Sequence, residues 1–179
     1  MTTEDTPIFD VSSWGLTEKQ SQLTTLARKL GQEKFSQRAA TYDREAIFPT
    51  ENYKDFFESG LSGICIPESS GGLGADFKTY MLTAAEIGRY CGSTALTFNM
   101  HVSSCLWSGY LIDNFELTPK QRQEHNIIRE IHYRRILKDG AIYAQPFSEG
   151  GDAAAGSKAF GTTALKVDGG WLVNGKKIF

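Results

Sequence analysis

The residues of this 179-residue chain that could do chemistry are a histidine in a charge-free stretch, a glycine-rich loop, scattered carboxylates and one serine beside a glutamate. His101 sits in a stretch from Tyr90 to Ile112 that has no Lys, Arg, Asp or Glu. A lone helical histidine is more often a hydrogen-bonded packing residue than a base or a ligand. Gly71, Gly72 and Gly74 precede Asp76. Glycines feeding a helix N-terminus can aim backbone amides at an anion. A turn requirement is the preferred reading here, because Asp76 would repel that anion and short glycine motifs recur by chance. Glu86, among apolar helical neighbours, could be a buried base, but an ion-paired or surface carboxylate is the better expectation. Arg134 and Arg135 read as exposed or interfacial, not as a phosphate clamp. Ser148, taken alone, reads as a solvent-facing serine at a strand end. Cys65, Cys91 and Cys105 are odd in number and not closely spaced, which argues against a disulfide framework and a zinc site. Reduced thiols, as in a cytoplasmic protein, are the expectation.

These residues need elements to hold them. Thr17 opens the first helix, with Gln20 completing a capping box. Leu23, Leu26, Ala27 and Leu30 recur at helical spacing behind it. This helix is expected to run to about Tyr42. Thr50 starts a short helix that Gly60 ends. Leu61 to Pro67 is a short apolar stretch before the glycine loop. Asp76 caps a helix whose inner face is read as Tyr80, Met81, Ala84, Ala85 and Ile87. Gly92 and Ser93 separate it from the charge-free helix carrying His101. Thr118 and Pro119 are the N-cap and first turn of a helix reaching about Lys138, with Ile127, Ile128, Ile131, Tyr133 and Ile136 expected to face other helices. After Gly140 the pattern changes. Ala141 to Phe147, Thr162 to Val167 and Trp171 to Val173 read as strands, the last two joined by Asp168-Gly169-Gly170 turn chemistry. Residues 1–15 read as a flexible arm, 16–139 as a helical domain and 140–179 as the start of a β domain. Strands that begin a sheet need partners, so a truncated β domain is expected.

Composition excludes other classes. A net charge of −2 and the lack of a basic run give no reason to expect nucleic acid or a membrane surface as partner. The charge-free stretch holds Ser93, Thr94, Thr97, Asn99, Ser103, Ser104 and Ser108, too much polarity for a transmembrane span, so a helix packed among helices explains it better. No positive n-region with an apolar core opens the chain, so no signal peptide is expected.

Three segments in order carry a family resemblance. They are Gly63-Ile64-Cys65-Ile66-Pro67-Glu68 with Gly71-Gly72-Leu73-Gly74-Ala75-Asp76; Tyr143-Ala144-Gln145-Pro146-Phe147-Ser148-Glu149; and Gly169-Gly170-Trp171-Leu172-Val173-Asn174-Gly175-Lys176-Lys177-Ile178-Phe179. Together they resemble signature segments of the acyl-CoA dehydrogenase superfamily, over about residues 17–179. The resemblance implies a mainly α fold: an N-terminal helical bundle followed by the first strands of an incomplete β-barrel domain. It implies FAD, with Gln145, Phe147, Ser148 and Glu149 on the flavin-contacting strip. The Ser148 hydroxyl would hydrogen-bond the flavin ring, as a group able to donate or accept. Glu149 is expected to brace the loop more than to touch flavin. His101 would lie on a helix that runs against the flavin and lines the acyl tunnel.

The family pattern then has Pro, two variable residues and Gly-Ser-Asp, whereas this chain has Gly150-Gly151-Asp152-Ala153-Ala154-Ala155-Gly156-Ser157. Ser157 is the candidate for the family serine near the pyrophosphate and the acyl-CoA. The implied reaction is α,β-dehydrogenation of an acyl-CoA thioester, with an acceptor such as an electron-transfer flavoprotein and a homo-oligomeric full-length enzyme. The family's general base would lie beyond the end of this chain, so no catalytic residue is assigned and an inactive fragment is expected. A flavin-dependent monooxygenase of the same superfamily and a non-catalytic binding or assembly module are the alternatives.

Overall fold

A computed structural model of the protein describes residues 15–150 and 160–178. Two compact units divide the chain, Met1–Tyr143 and Ala144–Phe179.

The first unit is helical. Its helices are α1 (Glu18–Leu30), α2 (Ser36–Glu45), α3 (Thr50–Ser59), α4 (Phe77–Gly88), α5 (Gly92–Leu106) and α6 (Pro119–Asp139). A π-turn at Gly31–Phe35 joins α1 directly to α2, so helix continues without a break from Glu18 to Glu45, three residues past the expected end near Tyr42. A Cβ on Gly31 would stand 2.0 Å from the Tyr90 ring, so glycine lets that ring close onto the π-turn. Side-chain caps form where the sequence placed them. Thr17 and Gln20 close a reciprocal box on α1, as do Thr118 and Gln121 on α6, and Asp76 accepts from the Thr79 amide at the start of α4. Gly60 ends α3 at φ 80°.

Burial of an aromatic seam holds these helices together. Phe35, Phe56 and Phe98 are fully buried. Phe35 meets Phe56 edge-on at 5.3 Å, and Phe56 meets Phe98 at 4.7 Å. Tyr53 joins Phe56 at 5.5 Å. Burial of such rings contributes about 25 cal/mol per Å² of apolar area, with a further gain from edge-to-face geometry.

The inner faces differ from the periodicity reading in two places. On α4, Tyr80, Thr83, Ala84 and Ile87 point inward, whereas Met81 and Ala85 are exposed. On α6 only Tyr133 and Ile136 are buried, and Ile127, Ile128 and Ile131 face outward. Polar contacts flank this face of α6. Arg129 donates to Asp113 at 2.7 Å, and Glu130 accepts from Ser70 at 2.7 Å. Ile127, Ile128 and Ile131 lie on the face turned away from the buried Tyr133 and Ile136.

The second unit carries an antiparallel hairpin of β1 (Thr163–Val167) and β2 (Gly170–Asn174), with Leu165 opposite Leu172 and Val167 opposite Gly170. Gly169 turns the chain at φ 80°. The expected strand at Ala141–Phe147 is not formed: those residues carry no ladder. Pro146 has no N–H to donate to one. The observed architecture is thus mainly helical with a small β element, the fold expected from the resemblance. Among the described residues no helix is long and apolar enough to cross a membrane.

Candidate functional site

The glycine loop resolves in favour of turn chemistry. Gly71 and Gly74 take φ 90° and 57°, and a Cβ on Gly72 would stand 2.3 Å from the Ile66 carbonyl oxygen. The loop amides bond within the loop and to its approach. Gly71 N–H donates to Glu68 O, Gly72 to Pro67 O, Leu73 to Gly63 O, Gly74 to Ile66 O and Ala75 to Ile64 O. Amides committed to carbonyls do not make an anion cradle.

Glu86 is an ion-paired carboxylate. Arg28 grips it with Nη2 at 2.8 Å and Nε at 3.2 Å, and Arg89 adds a contact at 3.3 Å. Asp55 is held similarly by Lys34 and by Arg38 at 2.6 Å. Burial alone would raise the Asp55 carboxyl, but those two cations outweigh it and hold it below its ordinary range. Desolvation pushes the Cys65 and Cys105 thiols up to about 12. They are packing groups, not nucleophiles. No cluster of three or more potential metal ligands exists among the described residues.

His101 is 1% exposed, and both its ring nitrogens are engaged by backbone. Nε2 donates to the Ser62 carbonyl at 2.9 Å, and Nδ1 accepts from the Tyr143 amide at 3.0 Å. That pairing defines a neutral Nε2–H tautomer. Burial lowers its pKa, against a smaller opposing pull from Ser62 O. The ring therefore ties the middle of α5 to the segment that follows α6. Tyr143 adds a second anchor, its hydroxyl bonding His132 Nδ1 at 2.6 Å. Beside them a cleft of about 380 Å³ opens between α5 and α6, lined in part by Ser104, Trp107, Ser108, His125 and His132. The outer face of α5 continues apolar, with Leu96, Met100, Trp107 and Leu111 all exposed.

In the second unit the strip 145–149 is pinned by its backbone and by one carboxylate. Ser148 O accepts from Ile178 N–H at 3.1 Å. Ser148 itself is exposed, and Phe147 is 51% exposed. Gln145 O accepts from Phe147 N–H at 2.9 Å. Glu149 is buried, and its carboxylate gathers four donors: Gly161 N–H at 2.6 Å, Thr162 N–H at 3.1 Å, the Thr162 hydroxyl, and Lys177 Nζ at 2.7 Å. The Lys177 bond leads the causes that bring its pKa down to about 2. Glu149 thus ties the strip to Gly161, Thr162 and Lys177. Its partners were not legible in sequence, because the ion pair joins residues 28 positions apart with no local motif. Ser157 lies outside the described residues.

The comparisons with known proteins agree on one kinship. Residues 17–124 match the family model described as acyl-CoA dehydrogenase, N-terminal domain. The short-chain specific acyl-CoA dehydrogenase of Clostridium acetobutylicum is 27% identical over 93% of this chain and 41% of its own length. The structure of butyryl-CoA dehydrogenase from Megasphaera elsdenii matches with a TM-score of 0.68 at 26% identity, over 92% of this chain and 41% of that one. A chain from the structure of the electron transferring flavoprotein of Acidaminococcus fermentans matches with a TM-score of 0.71 at 26% identity, over 93% and 40%. This chain therefore spans about two fifths of the length of the relatives it matches. With its capped helices, its glycine turn and its hairpin in the family's order, and a family model over more than half its length, the chain belongs to the acyl-CoA dehydrogenase family.

Proposed function

We propose that this chain is the front part of a flavin-dependent acyl-CoA dehydrogenase and that residues 145–149 form one edge of its FAD site. One observation carries the reading: Glu149 and the Ile178 amide hold the strip by its backbone and by one carboxylate, while Ser148 and the Phe147 ring stay exposed. A fixed strip offering a hydroxyl and an aromatic face fits a flat, amphipathic cofactor. Ser148 and Phe147 would meet the ring, Gln145 would flank them, and Glu149 would hold them in place. Ser157 would serve the pyrophosphate side. His101 would act indirectly, by fixing α5 and Tyr143, while Leu96, Met100 and Trp107 offer the acyl chain an apolar wall.

When bound, FAD supplies the hydride acceptor for α,β-dehydrogenation of an acyl-CoA thioester. Electrons would pass on to an electron-transfer flavoprotein, and the whole enzyme would act as a homo-oligomer. The family's general base has no counterpart among the residues assigned here, so the chain alone is expected not to turn over acyl-CoA. A second reading, a flavin-dependent monooxygenase, is favoured by Gly150 standing where the dehydrogenase pattern has proline. Oxygen uptake with reduced flavin, without acyl-CoA turnover, in a protein carrying this chain would select it.

The test is titration of the purified chain with FAD, followed by flavin fluorescence. Saturable quenching at micromolar concentration supports the strip as part of a flavin site. Unchanged fluorescence throughout would remove that support.

A further inference from the structure

We propose that the cleft between α5 and α6 binds a small, flat, uncharged molecule of about two rings, with a hydrogen-bond donor on one edge and an acceptor on the opposite edge. The cleft holds about 380 Å³, and Trp107, Ile112, Ile136 and Tyr143 supply its apolar walls. An apolar cavity of roughly 150 Å³ takes one benzene ring, so this one has room for two. No Lys, Arg, Asp or Glu is among the residues that line it, so a charged group would enter unpaired. All of the lining residues belong to the helical unit, and the inference does not rest on the proposed flavin strip.

Two histidines define the polar edges. His125 and His132 are half-buried, line the cleft and stand seven residues apart on one face of α6. Each spends one ring nitrogen on the fold. His125 Nε2 donates to the Ser108 carbonyl at 2.6 Å, which makes Nδ1 the acceptor of a neutral ring. His132 Nδ1 receives the Tyr143 hydroxyl at 2.6 Å, which leaves the proton of a neutral ring on Nε2. Among the described residues neither His125 Nδ1 nor His132 Nε2 has a partner. One is therefore an open acceptor and the other an open donor, each with its tautomer set by the bond the other nitrogen makes. Side chains seven residues apart on one helix face are spaced by about 10 Å. Hydrogen bonds of about 2.9 Å at either end leave about 5 Å between them, the length of a fused pair of rings. A single ring would reach one histidine and strand the other. No group of three potential metal ligands exists among the described residues, so the imidazoles serve here as hydrogen-bonding groups.

Calorimetric titration of the 179-residue chain in neutral buffer with three two-ring probes tests this. 6-Hydroxyquinoline carries a donor and an acceptor at opposite ends, 2-naphthol only the donor and quinoline only the acceptor. 6-Hydroxyquinoline should bind saturably with a Kd of about 0.1 mM, and each of the other two about fivefold more weakly. Simple apolar adsorption predicts the tightest binding for 2-naphthol instead, since it is the least polar of the three. His125→Phe keeps a ring but removes the acceptor, and should weaken 6-hydroxyquinoline and 2-naphthol about fivefold while sparing quinoline. His132→Phe removes the donor, and should weaken 6-hydroxyquinoline and quinoline about fivefold while sparing 2-naphthol. Misfolding would weaken every probe alike and cannot produce this crossed pattern. The order of affinities in the original chain requires no variant, so a poorly folding variant leaves it decisive. Absence of saturable binding overturns the proposal, as does equal affinity for the three probes. Affinities that neither variant changes also overturn it, because the probes would then bind elsewhere.

Discussion

In the helical unit Phe56 is surrounded, with Phe35, Tyr53 and Phe98 all within 5.5 Å between ring centroids. In the second unit every residue of β1 and β2 is exposed. The first is held by shape, since many apolar contacts act together and each depends on its neighbours' volume. The second is held at a point: the carboxylate of Glu149, with donors from Gly161, Thr162 and Lys177. A chain can therefore carry one part that answers to packing mutations and another that answers to a single charge. For a strip meant to contact a ligand this has a use. Backbone and carboxylate do the holding, and the side chains of Phe147 and Ser148 are exposed.

The strongest way to break this comparison is Phe56→Ala. It removes a fully buried ring from the centre of the seam and should cost about 3–5 kcal/mol. Urea unfolding followed by helical circular dichroism measures it. Amide exchange at Gly161 and Thr162 should not change in the same sample. If it rises in step, the two units unfold as one and the contrast is wrong.

His101→Leu comes next, at about 2–4 kcal/mol, because it strands the Ser62 carbonyl and the Tyr143 amide in a dry setting. The same residue makes a pH statement. Burial lowers the imidazole pKa, so the folded state keeps the ring neutral where the unfolded chain would already bind a proton. The contribution is complete above about 6.5, the unfolded value, and falls away as pH drops below it toward the folded value. The urea midpoint should decline from pH 7 to pH 5 in the original chain and more shallowly in His101→Gln. Parallel slopes for the two proteins would show that another group sets the acid response.

Much of the helical unit was readable because its signals are local. Thr17 with Gln20, Thr118 with Gln121, Asp76 and Gly60 each act within a few residues, and each does in the structure what its type suggests. The misreadings have a common cause. Ile127, Ile128 and Ile131 recur at helical spacing, but periodicity says only that they share a face, not that the face is covered. The buried face is the one that carries Tyr133 and Ile136. Ala141 to Phe147 has strand-like composition, yet a strand exists only with a neighbour to pair with. The candidate site was legible in part. The residue types at 145–149 stand out, but the donors that make Glu149 a brace come from Gly161, Thr162 and Lys177, which no motif links to it.

Glu149→Gln sharpens the comparison from the other side. It keeps the shape and the acceptor oxygen but discards the charge that Lys177 reads. The helical unit should unfold at an unchanged urea concentration, whereas amide exchange at Gly161 and Thr162 should accelerate about tenfold. The pH window differs from that of His101. The Glu149 carboxyl is depressed from 4.5 to about 2, so its stabilisation is complete above about 4.5 and is lost as pH falls toward 2. Between pH 6.5 and pH 5 the helical unit should therefore weaken while the bonds of Glu149 hold. Simultaneous loss of both in that range would show that the brace has no independent standing.

The smallest effect expected is that of Ser148→Ala, and it separates holding from contacting. The fold should not register it: Ser148 is exposed, and its part in the structure is the carbonyl that receives the Ile178 amide, which alanine retains. Flavin affinity should register it, by about 0.5–1.5 kcal/mol, the net worth of one hydrogen bond. In an FAD titration that is a rise of roughly two- to twelvefold in Kd, with the melting curve superimposable on the original. Ser148→Thr should bind like the original chain, since the hydroxyl is kept and the exposed position has room for a methyl group. Equal Kd values for serine, alanine and threonine would remove the hydroxyl from the flavin site. Any cofactor contact of the strip would then have to come from Gln145 or the Phe147 ring.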